Sequence, residues 1–307
     1  MPIFADPAPV CLFAFNRPQH TKRTLDALAA SPLAPVTELI AYIDGPRTPD
    51  EAPLVDEVAE IIARQTGFAG VTLHRRAVNA GLATSIQDGV TETMRARGKA
   101  IVVEDDIVTS PAFLTYMNTA LERYKNDRRV WHIAGYNEEL PALRDRPGAV
   151  FWRFMSCWGW ASWADRWQHF ECDPEKLVTD FSSSDIHRFN LDGAENFWSQ
   201  VEGNVRGEIR TWAVFWYATI FRNNGLCLSP YASYAENIGL DGSGTHCGVS
   251  EGAKARVLNL DFQTCFPDDV REDYEALQGL RAHYGTKPGK LRELRRRFRQ
   301  WKNSVLR

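Results

Sequence analysis

Across roughly the first 135 residues, short apolar runs alternate with segments of helical period, and this alternation constrains the fold more than any other feature. Residues 10–15 form an apolar run. Asn16-Arg17-Pro18 follows, with Asn16 suited to a helix N-cap and Pro18 to its first turn. Residues 39–43 are a second run, ending at Asp44-Gly45-Pro46, and Leu54, Val58, Ile61 and Ile62 then mark one face of a helix. A third run at 71–73 leads through Asn79-Ala80-Gly81-Leu82 into a helix carrying Ile86, Val90 and Met94, closed by Gly98. Residues 100–103 are a fourth strand, 111–124 a helix and 131–134 a fifth strand. Strand, helix, strand with short joints predicts a doubly wound α/β sheet.

In such sheets ligands bind beyond the carboxyl ends of the strands. Four polar clusters fall at those ends: Asn16-Arg17, Asp44-Gly45, Asn79 to Leu82, and Glu104-Asp105-Asp106. The acidic triplet is the most demanding. Three neighbouring carboxylates repel one another, and each loses hydration at a sheet edge. A hard divalent cation that shares its oxygen ligands with a polyphosphate is the common remedy. No Gly-x-Gly-x-x-Gly follows the first strand and no P-loop is present, so a dinucleotide or P-loop reading lacks its usual phosphate cradle.

The chain changes character after about residue 150. Eight of the ten tryptophans lie between Trp152 and Trp216. Most such residues are core. The Trp158-Gly159-Trp160 stretch is the candidate exception, because aromatic faces pack on sugar rings and its glycine permits close approach. Residues 237–248 are rich in Gly and Ser and read as a loop, in which His246 suits a ligand or phosphate contact. Between 287 and 307 nine Lys or Arg face the single Glu293, and Leu291, Leu294, Phe298, Trp301 and Val305 form one helical stripe. That segment predicts a basic amphipathic helix that docks on an anionic membrane surface, on a second copy of the chain or on the protein's own core.

Composition adds bounds. The 307 residues are 44% hydrophobic and 24% charged, enough for one large domain or two small ones. A net charge of −3 gives no basis for nucleic-acid binding. Six cysteines without a CxxC pair predict reduced thiols. The N-terminal residues lack a basic region followed by an apolar core, and no apolar run approaches a membrane span. A cytoplasmic protein is expected, peripheral on the inner face of the membrane if the basic segment docks there.

Taken in order, Phe15-Asn16-Arg17-Pro18, Ile43-Asp44-Gly45, Asn79-Ala80-Gly81-Leu82, Glu104-Asp105-Asp106, Trp158-Gly159-Trp160 and Asn237-Ile238-Gly239 through His246 resemble inverting glycosyltransferases of the GT-A fold. The nearest resemblance is to family 2-like bacterial sugar transferases similar to N-acetylglucosaminyltransferase I. It spans about residues 9–248. It implies a Rossmann-like central mixed sheet flanked by helices, with the C-terminal basic amphipathic helix added. The implied transferase domain is 1–265, with a nucleotide-binding half at 1–135, an acceptor and catalytic half at 150–265, and a helical basic tail at 266–307. Asn16 and Arg17 would touch nucleotide and diphosphate. Asp44 would meet the uracil edge of a UDP-sugar, Asn79 and Gly81 would line the nucleotide pocket, and Glu104 and Asp105 would contact sugar and ribose. Asp106 and His246 would hold Mn²⁺ or Mg²⁺. Trp158, Gly159 and Trp160 would form a sugar site. Partners would be a nucleotide-sugar donor and a glycan or lipid-linked acceptor.

Inverting transfer needs a carboxylate base for the acceptor hydroxyl. Relatives carry an acid beside a tryptophan where this chain has Arg210 and Ala213 around Trp212. Glu208 is the nearest carboxylate and Asp241 the reserve. Two alternatives remain. A sugar-nucleotide nucleotidyltransferase would need a Gly-rich basic loop, and residues 16–23 contain no glycine. A catalytically inactive glycan-binding module of the same fold would explain the missing acid but not the acidic triplet.

Overall fold

A computed structural model describes residues 4–140, 143, 146–240, 258–262 and 265–285. In chain order its elements are β1 (Val10–Ala14), α1 (Pro18–Ala29), β2 (Glu38–Ile43), α2 (Ala52–Ala63), β3 (Gly70–Arg75), α3 (Leu82–Arg97), β4 (Lys99–Glu104), β5 (Ile107–Thr109), α4 (Phe113–Tyr124), β6 (Val130–Ala134), β7 (Ala149–Trp152), β8 (Trp160–Trp163), α5 (Ala164–Trp167), α6 (Pro174–Asp180), α7 (Ser183–Phe189), α8 (Trp198–Val205), α9 (Ala213–Arg222), β9 (Leu226–Pro230), β10 (Ala235–Asn237) and α10 (Tyr274–Gly285). The five strands expected before residue 135 are all present.

Eight strands form one mixed sheet in the order β3-β2-β1-β4-β8-β6-β9-β7, and β5 pairs with β10 in a separate ribbon. β1, β2, β3 and β4 are parallel. β8 runs antiparallel between β4 and β6, with Val102 opposite Trp160. The central strands are apolar on both faces because helices cover both. Along β1, Val10, Leu12 and Ala14 enter one core with Leu25 and Leu28 of α1 and Val58 of α2. Cys11 and Phe13 enter the other, with Ile86 and Val90 of α3 and Phe215 and Trp216 of α9. The period-2 alternation of a strand and the 3.6-residue period of a helix thus meet across each face. The result is the expected α/β architecture, a central mixed sheet flanked by helices.

Two expectations change. α1 is capped by Arg17 without a side-chain hydrogen bond, rather than by Asn16. The tail expected from 266 begins inside the body: Phe266 stacks on Tyr116 at 5.7 Å, and Ala276, Leu277 and Leu280 of α10 are buried. The basic amphipathic segment 287–307 lies outside the described residues. Among the described residues no helix is long and apolar enough to cross a membrane.

Candidate functional site

β4 delivers Glu104-Asp105-Asp106 to the carboxyl rim, beside the turn that follows β1. Asp105 and Asp106 are buried. Arg17 reaches both: its Nη2 pairs with Asp105 Oδ1 and lies 3.0 Å from Asp106 Oδ2. Asp105 Oδ2 also accepts from the Phe15 amide at 3.3 Å, and Thr24 Oγ1 donates to the Asp105 carbonyl at 2.8 Å. Arg17 is thus a counter-ion turned inward between the carboxylates.

One guanidinium does not balance three carboxylates. Burial, then Asp106 and Asp105, push Glu104 up to about 8, with Arg17 opposing. Burial pushes Asp105 up to about 6, against the pull of Arg17. For Arg17, burial disfavours the charge, and Asp105 and Asp106 more than reverse that, raising its pKa. The cluster therefore retains a demand for positive charge.

Asp106 shows where that charge can go. Its Oδ1 is buried and has no hydrogen-bond partner among the described residues, and the same holds for Nη1 of Arg17. The β5–β10 ribbon brings residues 237–239 against it, and the Ile238 amide donates to the Asp106 carbonyl at 2.8 Å. A Cβ at Gly239 would collide with Asp106 Oδ2 and lie 3.0 Å from Arg17 Nη1. Any larger residue there would have to displace the Asp106 carboxylate. Among the described residues no three His, Cys, Asp or Glu side chains converge as a metal set. A hard cation here would take Asp106 and draw its remaining ligands from phosphate and water, a common Mg²⁺ arrangement.

The neighbouring strand ends are tightly organised. Asp44 accepts from the amides of Gly45 and Ala80, both at 2.9 Å, and of Gly81 at 2.7 Å. Asn79 Nδ2 donates to the Gly45 carbonyl at 2.8 Å. Gly81 precedes α3 with φ 83°, a backbone conformation that glycine tolerates best. Asp44 and Asn79 therefore lock the turn that enters α3 onto the end of β2. Asn16 Nδ2 donates to Glu51 Oε1 at 3.1 Å, and Glu51 also holds Arg47, which lies 5.0 Å over the Phe15 ring.

The tryptophan stretch divides. Trp160 is wholly buried, stacked on His132 at 5.3 Å and on Trp212 at 5.5 Å, so it has no face for a sugar and leaves the sugar-contact set. Gly159 seats the strand end, its carbonyl accepting from Gly135 N at 2.7 Å. Trp158 is half-buried on the rim and meets Tyr136 edge-on at 4.5 Å. Beside it opens a cavity of about 290 Å³ that sequence reasoning missed, lined by Trp158, Tyr136, Glu138, Phe154, Gln200 and Tyr284 among others. Tyr136 and Glu138 lie just past the end of β6, so the strand-end rule that selected the other clusters would have found them.

Solved structures similar to this chain include mannosyltransferase PcManGT from Pyrobaculum calidifontis in complex with GDP-Man and Mn²⁺, at 11% identity over 70% of this chain and 71% of that one, TM-score 0.39. Another is galactosyltransferase LgtC in complex with donor and acceptor sugar analogs, at 12% identity over 69% and 70%, TM-score 0.34. No family model matches the chain, and no curated protein matches it.

Two candidate bases stand differently. Glu208 is exposed and chelated by Arg206, with 2.8 Å to both Nε and Nη2, and that pairing lowers its pKa, the wrong direction for a stronger base. Two residues on, Arg210 Nη2 donates to Thr84 Oγ1 of α3 at 2.8 Å. Asp241 and His246 lie outside the described residues.

Proposed function

We propose that this chain is a metal-dependent inverting glycosyltransferase of the GT-A fold, moving a sugar from a nucleotide-sugar, a UDP-sugar in the first instance, to a hydroxyl of a glycan or lipid-linked acceptor. The observation that carries the reading is the buried, unpartnered Asp106 Oδ1 in a carboxylate cluster that one guanidinium leaves short of positive charge. A bound Mn²⁺ or Mg²⁺ would supply charge neutralisation for a departing nucleoside diphosphate. Asp106, with His246 proposed as a second ligand, would hold it.

The chain's own residues then take separable tasks. Asp44 and Asn79 hold the 78–81 turn that walls the nucleotide side, with Asp44 facing the base and Gly81 opening α3 towards it. Arg17 keeps Asp105 fixed while Glu104 and Asp105 meet ribose and sugar. Trp158 closes the sugar side. A carboxylate must accept the acceptor's proton as its oxygen attacks. Asp241, two residues beyond Gly239 in sequence, is the better base than Glu208, which Arg206 chelates. The transferase domain would include α10, which packs into the second core, and segment 287–307 would hold the protein at the cytoplasmic face of a membrane.

The test is a thermal-shift panel of UDP, GDP and their sugars with and without Mn²⁺. A ligand at ~100-fold its Kd stabilises by about 2.7 kcal/mol, a shift of several degrees. We expect a Mn²⁺-dependent shift for one nucleotide class that Asp106→Ala abolishes. No shift with any nucleotide would refute the reading.

A further inference from the structure

The cavity beside Trp158 is separate from the acidic cluster but shares its rim. In the sheet order, β4 carries the triplet, β8 begins two residues after Trp158, and β6 ends just before Tyr136 and Glu138. β8 is antiparallel to both neighbours, so its start and their ends lie on the same edge. Two strand spacings of about 4.8 Å separate β4 from β6, so the cavity opens roughly 10 Å from the carboxylates. That is the scale of one sugar ring set beside another.

Its walls have a definite chemistry. Trp158, Tyr136, Phe154 and Tyr284 supply aromatic surface. Trp158 and Tyr136 meet at 69°, which makes a corner rather than a flat platform. Glu138 stands in that corner. Its Oε2 accepts from Tyr136 Oη at 3.2 Å, and its Oε1 accepts from Tyr284 Oη at 3.0 Å. His283 Nε2 lies 3.4 Å from the same carboxylate. Gln200 adds an amide from α8. Aromatic faces with one carboxylate and one amide suit a ring that is apolar on its faces and hydroxylated at its edge. They do not suit an anion, which would meet Glu138 in a largely apolar cavity.

We infer that this cavity is a binding subsite for a neutral pyranose, the acceptor ring of the proposed transfer, with Trp158 as its stacking face and Glu138 as a hydroxyl anchor that rejects uronic and other anionic sugars. The acceptor role rests on the proposed function, whereas saccharide binding can be measured without it.

The experiment is saturation-transfer-difference NMR on the full chain without nucleotide or metal. The probes are the methyl glycosides of glucose, galactose, mannose and N-acetylglucosamine, with methyl glucuronoside as the anionic member. Wild type is expected to bind at least one neutral glycoside and to ignore the glucuronoside. Glu138→Gln, which keeps shape, should weaken the neutral ring about tenfold or more, the usual effect of losing a charged hydrogen-bond acceptor, and should admit the glucuronoside. Trp158→Ala should abolish saturation transfer, and Trp158→Phe, a milder change to the fold, should weaken it. Binding of no neutral glycoside, equal binding of the glucuronoside to wild type, or an unchanged Glu138→Gln would each overturn the assignment. The Mn²⁺ and nucleotide thermal shift reads the donor side independently, so failure of one reading does not mimic failure of the other.

Discussion

Asp106 is crowded by Arg17 on one side and by the Gly239 backbone on another, and the two contacts make separate demands. Gly239→Ala puts a methyl group against the carboxylate, and the segment cannot easily retreat because Ile238 N is bonded to the Asp106 carbonyl. Overpacking of this kind costs about 1–3 kcal/mol. Chemical denaturation should show that loss, and the Mn²⁺-dependent nucleotide shift should disappear with it. A variant that matched wild type in both would mean the carboxylate turns freely. Asp44→Ala tests a different residue. It strands three backbone amides at the rim and is expected to cost about 2 kcal/mol or more by urea unfolding, with Asp44→Asn milder. The strand-end carboxylates were legible in the sequence because an apolar run that stops at Glu104 must place the next residues at a sheet edge. What each carboxylate faces was not legible. Asp44 reads in the sequence as a ligand contact, and its hold on three backbone amides carried no signal there. Trp158 and Trp160 looked like one site, but Gly159 at φ 68° turns the chain between them, leaving one on the rim and the other in the core.

At the level of elements, β6 and α9 are joined by a buried imidazole. His132 Nε2 bonds the Ser156 carbonyl at 2.9 Å, and Trp216 Nε1 donates to His132 Nδ1 at 3.2 Å. That pairing fixes the neutral tautomer with the proton on Nε2, because Nδ1 must accept. Burial pushes His132 from about 6.5 down to about 3. The unfolded chain therefore binds a proton between those values and the folded one does not. The contribution of His132 is complete above pH 6.5 and is lost as pH falls towards 3, on the order of a few kcal/mol in all. Glu104 and Asp105 act in the opposite sense, since their folded values are raised and their contribution grows as pH falls through about 8 and 6. Between about pH 6 and 4.5 the two carboxyls outweigh the imidazole, so melting temperature should rise as pH falls across that window. In His132→Gln, which removes the opposing loss, the rise should be steeper, although the variant starts lower at pH 8. An equal rise in both would remove His132 as the opposing contribution. The sequence signalled β1 to β4 and α1 to α4 because each has a clear period. It gave no such signal for β7 or the short helices α5 to α8, whose four to eight residues hold too few turns for periodicity to register.

For the whole molecule, the sheet divides its rim between a carboxylate side on β1, β2 and β4 and an aromatic side on β8 and β6. α10 closes the aromatic side: Leu277 and Leu280 enter the second core, and Tyr284 lines the cavity. The chain passes from Tyr284 into the segment that carries nine Lys or Arg and the Leu291 to Val305 stripe, so sequence connectivity alone ties a basic, amphipathic stretch to the proposed acceptor side. An acceptor sugar carried on a lipid would reach that side at a membrane surface, where each basic residue contributes about 1 kcal/mol to anionic-lipid attraction. Truncation after Gly285 retains every α10 contact described and removes the basic segment. Co-sedimentation with vesicles containing about a third anionic lipid should capture the full chain, release it with added salt as screening predicts, and fail to capture the truncated form. The truncated form should keep its Mn²⁺ and nucleotide shift, because the carboxylate rim lies on the other side of β8. Equal capture by neutral vesicles would place the attraction in apolar contact instead. A full-length dimer that becomes a monomer on truncation, with no capture by either vesicle, would assign the segment to self-association.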